Sequence, residues 1–298
     1  MYVTSNFTVL IREILITMLI YFKIDGYLKT KKNGKVSSGR VSPVKTPMPV
    51  LFTCPHGGED KLKGIPRRDC SKYPSICKEP CTKDSDLNTI ELTNSIAKNI
   101  VNLSRREVYK KIALIDRSYI DFNRDPKCAF EESNDDLAAQ KYREYHNGIL
   151  KTIKEMYAQN KNGLRFLFDI HGTKRTKVGN RRVDIFFGTD KNEKKSKNSI
   201  CGLLKLNPNA LWDNTGLIKL LQDKGYYTYP RVSDQREFSK LDGGFTIKKY
   251  GNCSNKMRIE SIQCEVSPLF RNDEHNREQF ARDIAKCIVK FVSPYISK

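Results

Sequence analysis

Three apolar runs in this chain each end on a polar motif, and that repeated punctuation limits the folds open to it. Val50–Thr53 runs into Cys54-Pro-His-Gly-Gly-Glu59, Leu164–Ile170 runs into His171-Gly172, and Ile259–Val266 carries Gln263-Cys-Glu265 near its end. Short apolar runs bounded by turn residues read as buried strands. Between them, apolar residues recur at a spacing near 3.6 over Thr89–Asn102 (Ile90, Leu92, Ile96, Ile100, Val101), Asp135–Gln159, Thr215–Lys224 and Arg277–Val292, which predicts helices. Val183–Phe187 predicts a further strand, and Ala113–Ile115 and a strand at Tyr119–Phe122 bracket a site-bearing turn. Strands separated by helices imply an α/β fold with a largely parallel or mixed sheet, in a single domain over residues 50–298. Such sheets bind ligands beyond the carboxyl ends of their strands, where the three polar motifs fall.

The chemistry of those motifs points to a metal. His56 and Glu59 are spaced H-x-x-E after a strand, and Gly57 and Gly58 permit a sharp turn between them. His171 follows another strand. Two histidines and a carboxylate with an open fourth position make a catalytic zinc site. The plainer reading takes H-x-x-E as a chance spacing and His171 as a loop histidine. Of the other two histidines, His146 on a helix and His275 in a charged turn read as surface residues. Glu265, at the end of an apolar strand, is the candidate base. Glu260 competes with it but lies five residues earlier, on the opposite side of a period-2 strand. Arg117 and Arg124 flank Tyr119–Phe122, and each offers a planar fork that matches a carboxylate, with Asn123 beside them as an amide donor. The alternative for both arginines is a surface ion pair. Gly243-Gly244 is expected to form a loop near the site.

Charge bears on partners. The net charge is +20, which favours anionic ligands. Residues 1–49 hold eight basic and two acidic side chains, and the remaining excess is diffuse. No zinc-finger spacing, aromatic RNA-binding strand or basic heptad helix accompanies it, so no specific nucleic-acid surface is expected. Residues 1–25 read as a signal peptide or anchor, or else as a short amphipathic helix packed on the domain. The uninterrupted apolar run there, Ile14–Phe22, is shorter than the ~20 residues of a membrane span, so residues 7–24 offer the chain's one membrane contact. Residues 26–49 read as a basic linker rich in Gly, Ser, Pro and Lys. Nine cysteines are many for a chain of this size; Cys70, Cys77 and Cys81 cluster in a loop without a zinc spacing, where disulfides are the natural reading in an oxidising compartment. Asn6, Asn102 and Asn252 open glycosylation-type triplets.

Five segments in order carry a resemblance: CPHGGE with Ile65-Pro66; Asp116-Arg-Ser-Tyr-Ile-Asp-Phe-Asn-Arg124; Phe168-Asp-Ile-His-Gly172; Gly243-Gly-Phe-Thr246 with Tyr250-Gly251; and Ile262-Gln-Cys-Glu-Val-Ser267. Together they resemble the N-formylglutamate amidohydrolase family of the zinc carboxypeptidase-like superfamily, over about residues 50–298. The resemblance implies a carboxypeptidase-like mixed sheet, with one zinc per chain on His56, Glu59 and His171. Asp121-Phe122 stands where the family commonly has Asp-Val or Asp-Leu, and the lysine-rich Lys191–Lys197 and the Cys70–Cys81 loop have no counterpart in it. The activity implied is hydrolysis of an amide of an N-acyl amino acid, an acidic one, with Glu265 as base. By similarity, Asn123 and Arg124 take the substrate carboxylate and Arg117 stabilises the carbonyl oxygen. Two other readings remain: a zinc carboxypeptidase on peptide ends, and a basic polyanion-binding protein with a vestigial site.

Overall fold

The computed structural model describes residues 46–297 except 78, 132–136, 192–197, 252, 254, 255 and 258. The signal-peptide reading of residues 1–25, nearly all of the linker, residues 192–197 of the lysine-rich stretch and the triplets opened by Asn6 and Asn252 lie outside the described residues. The described part falls within one unit, Val44–Lys298, and no helix in it is long and apolar enough to cross a membrane.

In chain order the strands are β1 (Val50–Cys54), β2 (Tyr109–Ile112), β3 (Phe166–Gly172), β4 (Lys177–Val178), β5 (Arg181–Arg182), β6 (Ile185–Gly188), β7 (Thr228–Tyr229) and β8 (Glu260–Val266). The helices are α1 (Thr89–Ser104), α2 (Pro126–Ala129), α3 (Leu137–Gln159), α4 (Cys201–Leu206), α5 (Leu217–Asp223), α6 (Phe245–Tyr250) and α7 (Glu274–Val292). Six strands form one sheet in the order β2-β1-β3-β8-β6-β7, and β4 and β5 make a separate hairpin. β2, β1, β3 and β8 run parallel. β6 is antiparallel to β8 and parallel to β7, so the sheet is mixed.

Successive strand residues point to opposite faces, and both faces are covered. Val50, Phe52, Phe166, Phe168, Ile170, Ile262, Cys264 and Val266 join the apolar stripes of α1, α5 and α7. Leu51 and Leu167 meet Tyr142, Tyr145, Ile149 and Ile153 of α3, with Ile247 and Tyr250 of α6. Phe52 stacks on Phe168 with centroids 5.7 Å apart, and Phe166 meets Phe291 edge-on at 5.6 Å. Coverage on both faces is why β1, β3 and β8 carry no exposed residue along their lengths, apart from the half-buried Gly172.

Two expectations are corrected. Tyr119–Phe122 is not a strand: residues 116–124 wrap around the fully buried Asp121. That carboxylate accepts hydrogen bonds from the Asn123 amide (3.0 Å) and Arg117 Nε (2.9 Å), so the backbone there turns rather than extends. His146 is not a surface residue. It is 3 % exposed, packed among Tyr142, Tyr145 and Phe245, with Nδ1 2.7 Å from the Tyr250 hydroxyl. Burial, with Lys249 nearby, pushes its pKa down to about 3, so it is a neutral core ring. The short elements β7, α4 and α6 fall where no periodic segment is expected, because two to six residues are too few to show a period.

The loop disulfides expected from the cysteine cluster are present as Cys70–Cys81 and Cys77–Cys128, with a third between Cys201 and Cys253. Each contributes about 2–4 kcal/mol, mainly by restricting the unfolded chain. Cys54, Cys264 and Cys287 are free and buried; burial raises the Cys54 thiol pKa to about 12, which leaves it a packing group rather than a nucleophile.

Past β6, Glu237 holds the chain. Its carboxylate accepts the Thr189 amide at 3.0 Å, and burial raises its pKa to about 7 despite the Thr189 and Lys191 hydrogen bonds. A carboxyl raised in the folded state favours folding fully below its unfolded pKa near 4.3, and that contribution disappears as pH climbs through 7. Between pH 5 and 8 the melting temperature of Glu237→Gln should therefore fall less than that of the parent; parallel curves would refute the assignment.

Candidate active site

The register of the parallel strands assembles the site. β3 pairs with β8 so that His171 lies beside Glu265 and Asp169 beside Gln263. β1 pairs with β3 with Thr53 beside Asp169. Alternation puts all five on the α3 face, at the carboxyl ends of adjacent strands. His56 follows β1 by two residues, and its carbonyl accepts the Asp86 amide at 2.8 Å, which draws the loop before α1 over the strand ends.

Two imidazoles and a carboxylate converge there. Asp86 Oδ2 lies 3.2 Å from His171 Nδ1 and 3.4 Å from His56 Nδ1. Behind each ring stands a second carboxylate: His56 Nε2 is 2.6 Å from Asp121 Oδ1, and His171 Nε2 is 2.9 Å from Asp169 Oδ2. Asp169 is itself fixed by the Thr53 hydroxyl at 2.6 Å. Both histidines are 2 % exposed. An ionised carboxylate only accepts, so in the neutral rings each Nε2 carries the proton and the Nδ1 lone pairs face Asp86. His56 Nδ1 is buried and has no hydrogen-bond partner. Three acceptors facing one point without a donor is the electrostatic signature of a cation site. His56, Asp86 and His171 could hold a metal ion, their ligand atoms lying within 4.8 Å of one another. Donors on a tetrahedral centre with bonds of about 2.0–2.1 Å lie roughly 3.3 Å apart, close to the two imidazole–carboxylate distances. Carboxylates behind both rings are the usual outer support of such ligands.

The same crowding of carboxylates favours a proton on the His171 ring, which a metal would have to displace: burial pulls the His171 pKa down, but Asp169 and Asp86 outweigh it and hold it well above the ordinary histidine value. Burial opposes ionisation of Asp86, yet the facing His171 and His56 rings keep its pKa far below the carboxylate range. Glu265 is 8 % exposed; burial lifts its pKa to about 7 against the pull of His171. Gln263 Nε2 donates to Glu265 Oε1 at 2.8 Å and fixes that carboxylate.

The structure brings together most of the residues singled out from sequence. His56, His171, Glu265, Arg117, Asn123, Arg124, Gly243 and Gly244 all line one cavity of about 950 Å3. Glu59 does not reach it. The chain leaving His56 runs alongside Leu114–Ile115, with Asp60 bonded to the Leu114 carbonyl and Gly58 packed where a Cβ would strike Leu114, and this carries Glu59 to the surface. Asp86 provides the carboxylate beside the two histidines instead. Arg117 is buried on Asp121, whose charge, with that of Asp86, keeps its pKa up against burial. Arg124 donates to the Asn123 carbonyl and lies 3.9 Å from Asp121. Asn123 accepts the Thr246 amide at 2.8 Å. Gly244 donates to Gln263 and sits so close to the Asn123 side chain that a Cβ there would collide with it.

No protein-family model and no curated protein matches the sequence. The fold is nevertheless a known mixed α/β one. Over 85 % of this chain and 96 % of that one, it is similar to an N-formylglutamate amidohydrolase from Ralstonia eutropha JMP134, at 17 % identity and a TM-score of 0.53. A gene product of Agrobacterium tumefaciens superposes over 83 % of this chain and 91 % of its own, at 13 % identity and a TM-score of 0.49.

Proposed function

We propose that this chain is a zinc-dependent hydrolase of linear amides, acting on a small N-acyl amino acid with an anionic side chain. The observation that carries the reading is the pair of imidazole Nδ1 atoms facing Asp86, each ring backed by a carboxylate, with Glu265 in register beside His171. The fold shared with an N-formylglutamate amidohydrolase supports it. His56, Asp86 and His171 would hold one zinc, which when bound supplies Lewis-acid polarisation of the carbonyl and acidifies water.

The remaining work falls to the chain. Glu265 takes a proton from the attacking water and delivers it to the leaving nitrogen; a carboxyl pKa near 7 suits both transfers. Arg117, kept cationic by Asp121, faces the cavity and stabilises charge developing on the carbonyl oxygen. Asn123 and Arg124 orient the substrate carboxylate, and the Gly243–Gly244 loop closes that wall. A cavity of about 950 Å3 exceeds what one acyl amino acid fills, which favours, as a second reading, cleavage at a peptide end.

Formyl-, acetyl- and peptidyl-glutamates, offered to chelator-treated and zinc-restored protein, separate these readings. Hydrolysis of an acyl-glutamate that chelation abolishes and zinc restores is the expected result. Turnover of peptides alone selects the carboxypeptidase reading. A protein that cleaves no amide at full zinc occupancy overturns both.

A further inference from the structure

Arg124 already faces a carboxylate. Glu79 lies on the cavity wall with Oε2 3.3 Å from Arg124 Nη1 and Oε1 3.8 Å from Lys248 Nζ. It sits between two half-cystines: Cys77 is bonded to Cys128 of α2, four residues after Arg124, and Cys81 is bonded to Cys70. Arg68, buried beside Asp121, donates to the Thr82 carbonyl just beyond. The segment carrying Glu79 is thus tied covalently to the segment carrying Arg124. A free surface ion pair loses most of its Coulomb gain to side-chain and loop ordering. Here the disulfides have removed much of the loop's share of that cost in advance.

We infer that Glu79 is a specificity-determining residue: it is a resident carboxylate, strapped by two disulfides over Arg124 and Lys248, that competes with an incoming substrate carboxylate for those two cations. This rests on the reading of Arg124 as the carboxylate-binding residue. An anionic ligand must displace Glu79 or share its cations, whereas an uncharged ligand of the same shape meets no such competitor. The wall therefore discriminates against weakly held carboxylates, and the strength of discrimination falls with salt, because Glu79 is 44 % exposed.

Binding, rather than turnover, tests this. Glutarate and its uncharged diamide, glutaramide, are titrated calorimetrically into chelator-treated parent, Glu79→Gln and Glu79→Gln/Arg124→Gln proteins. Glutamine keeps the shape of the side chain and removes its charge. Glu79→Gln should bind glutarate about fivefold tighter than the parent at low salt, with the gain shrinking in 0.5 M salt, roughly three times shorter in screening length than 0.05 M. Glutaramide should bind both equally, and the gain should vanish when Arg124 is also replaced. Equal glutarate affinities, no glutarate binding in any of the proteins, equal gains for both ligands, or a gain that survives loss of Arg124 would each overturn the inference. Failure of the hydrolase reading is separate: a protein that cleaves no amide but shows the gain keeps Glu79 and loses the chemistry, and the reverse pattern does the opposite.

Discussion

On the proposed zinc site, alanine at Asp86 should sharply weaken zinc binding, and alanine at Glu59 should not. Asp86 Oδ2 faces both Nδ1 atoms, while Glu59 is exposed and absent from the cavity lining. Loss of one of three protein ligands should weaken zinc binding on the order of a hundred- to a thousandfold, as an even share of the ~10–16 kcal/mol typical of full sites suggests. Competition titration with a chromogenic chelator reads this directly, and circular dichroism checks that the fold persists. Undiminished zinc affinity in Asp86→Ala would remove the site as drawn; a matching loss in Glu59→Ala would return the carboxylate to the H-x-x-E motif.

Glutamine at Glu265 should separate chemistry from metal. Glu265 is not among the atoms converging on the cation point, so zinc content should stay at the parent level. If Glu265 carries the proton as proposed, its replacement should lower kcat by about 10²–10⁴-fold while KM moves little. The new amide can present its own oxygen to the Gln263 amide that now donates to Glu265, so the local fold should survive. Near-parent turnover would leave the proton transfers to another group. Glu260 is not placed to take over: it lies on the opposite strand face, where its carboxylate accepts the Leu203 amide at 2.9 Å.

Much of this site is legible in the sequence because it sits where regular structure stops. His56, His171 and Glu265 each end an apolar run, and strand ends in such sheets are where ligands bind. The strands themselves are legible for the same reason: both faces are buried, so their residues read as near-continuous apolar runs. Asp86 is not legible in that way. It lies in an irregular loop far from β1 in sequence, and Ser85-Asp-Leu-Asn-Thr89 reads as the start of a helix, a place where Asp and Asn commonly serve as caps. Its backbone does serve α1, since the Asp86 carbonyl accepts the Thr89 hydroxyl at 2.6 Å, while its side chain turns to the histidines. Glu59 draws attention through spacing alone, and spacing does not reveal that the next residue, Asp60, is pinned along Ile115. Asp121 and Asp169 lie within the segments that carry the resemblance, but their service to the imidazoles depends on contacts across 65 residues in one case and across a single β-pleat in the other. His146 misleads because a histidine just after Arg143-Glu144 on a helix gives no sign of the aromatic partners that α6 supplies from a distant part of the chain.

The sheet order has a consequence for how the polypeptide is made. β8 is the last strand among the described residues, yet it lies in the interior of the sheet, between β3 and β6. Until residues 260–266 leave the ribosome, β3 and β6 have no partner between them and the sheet exists as two separate edges. Non-local parallel pairing is slow, and unpaired apolar edges are sticky. A nascent or truncated chain ending before Glu260 therefore has neither Glu265 nor a closed core, and it is the species that chaperones would have to shield.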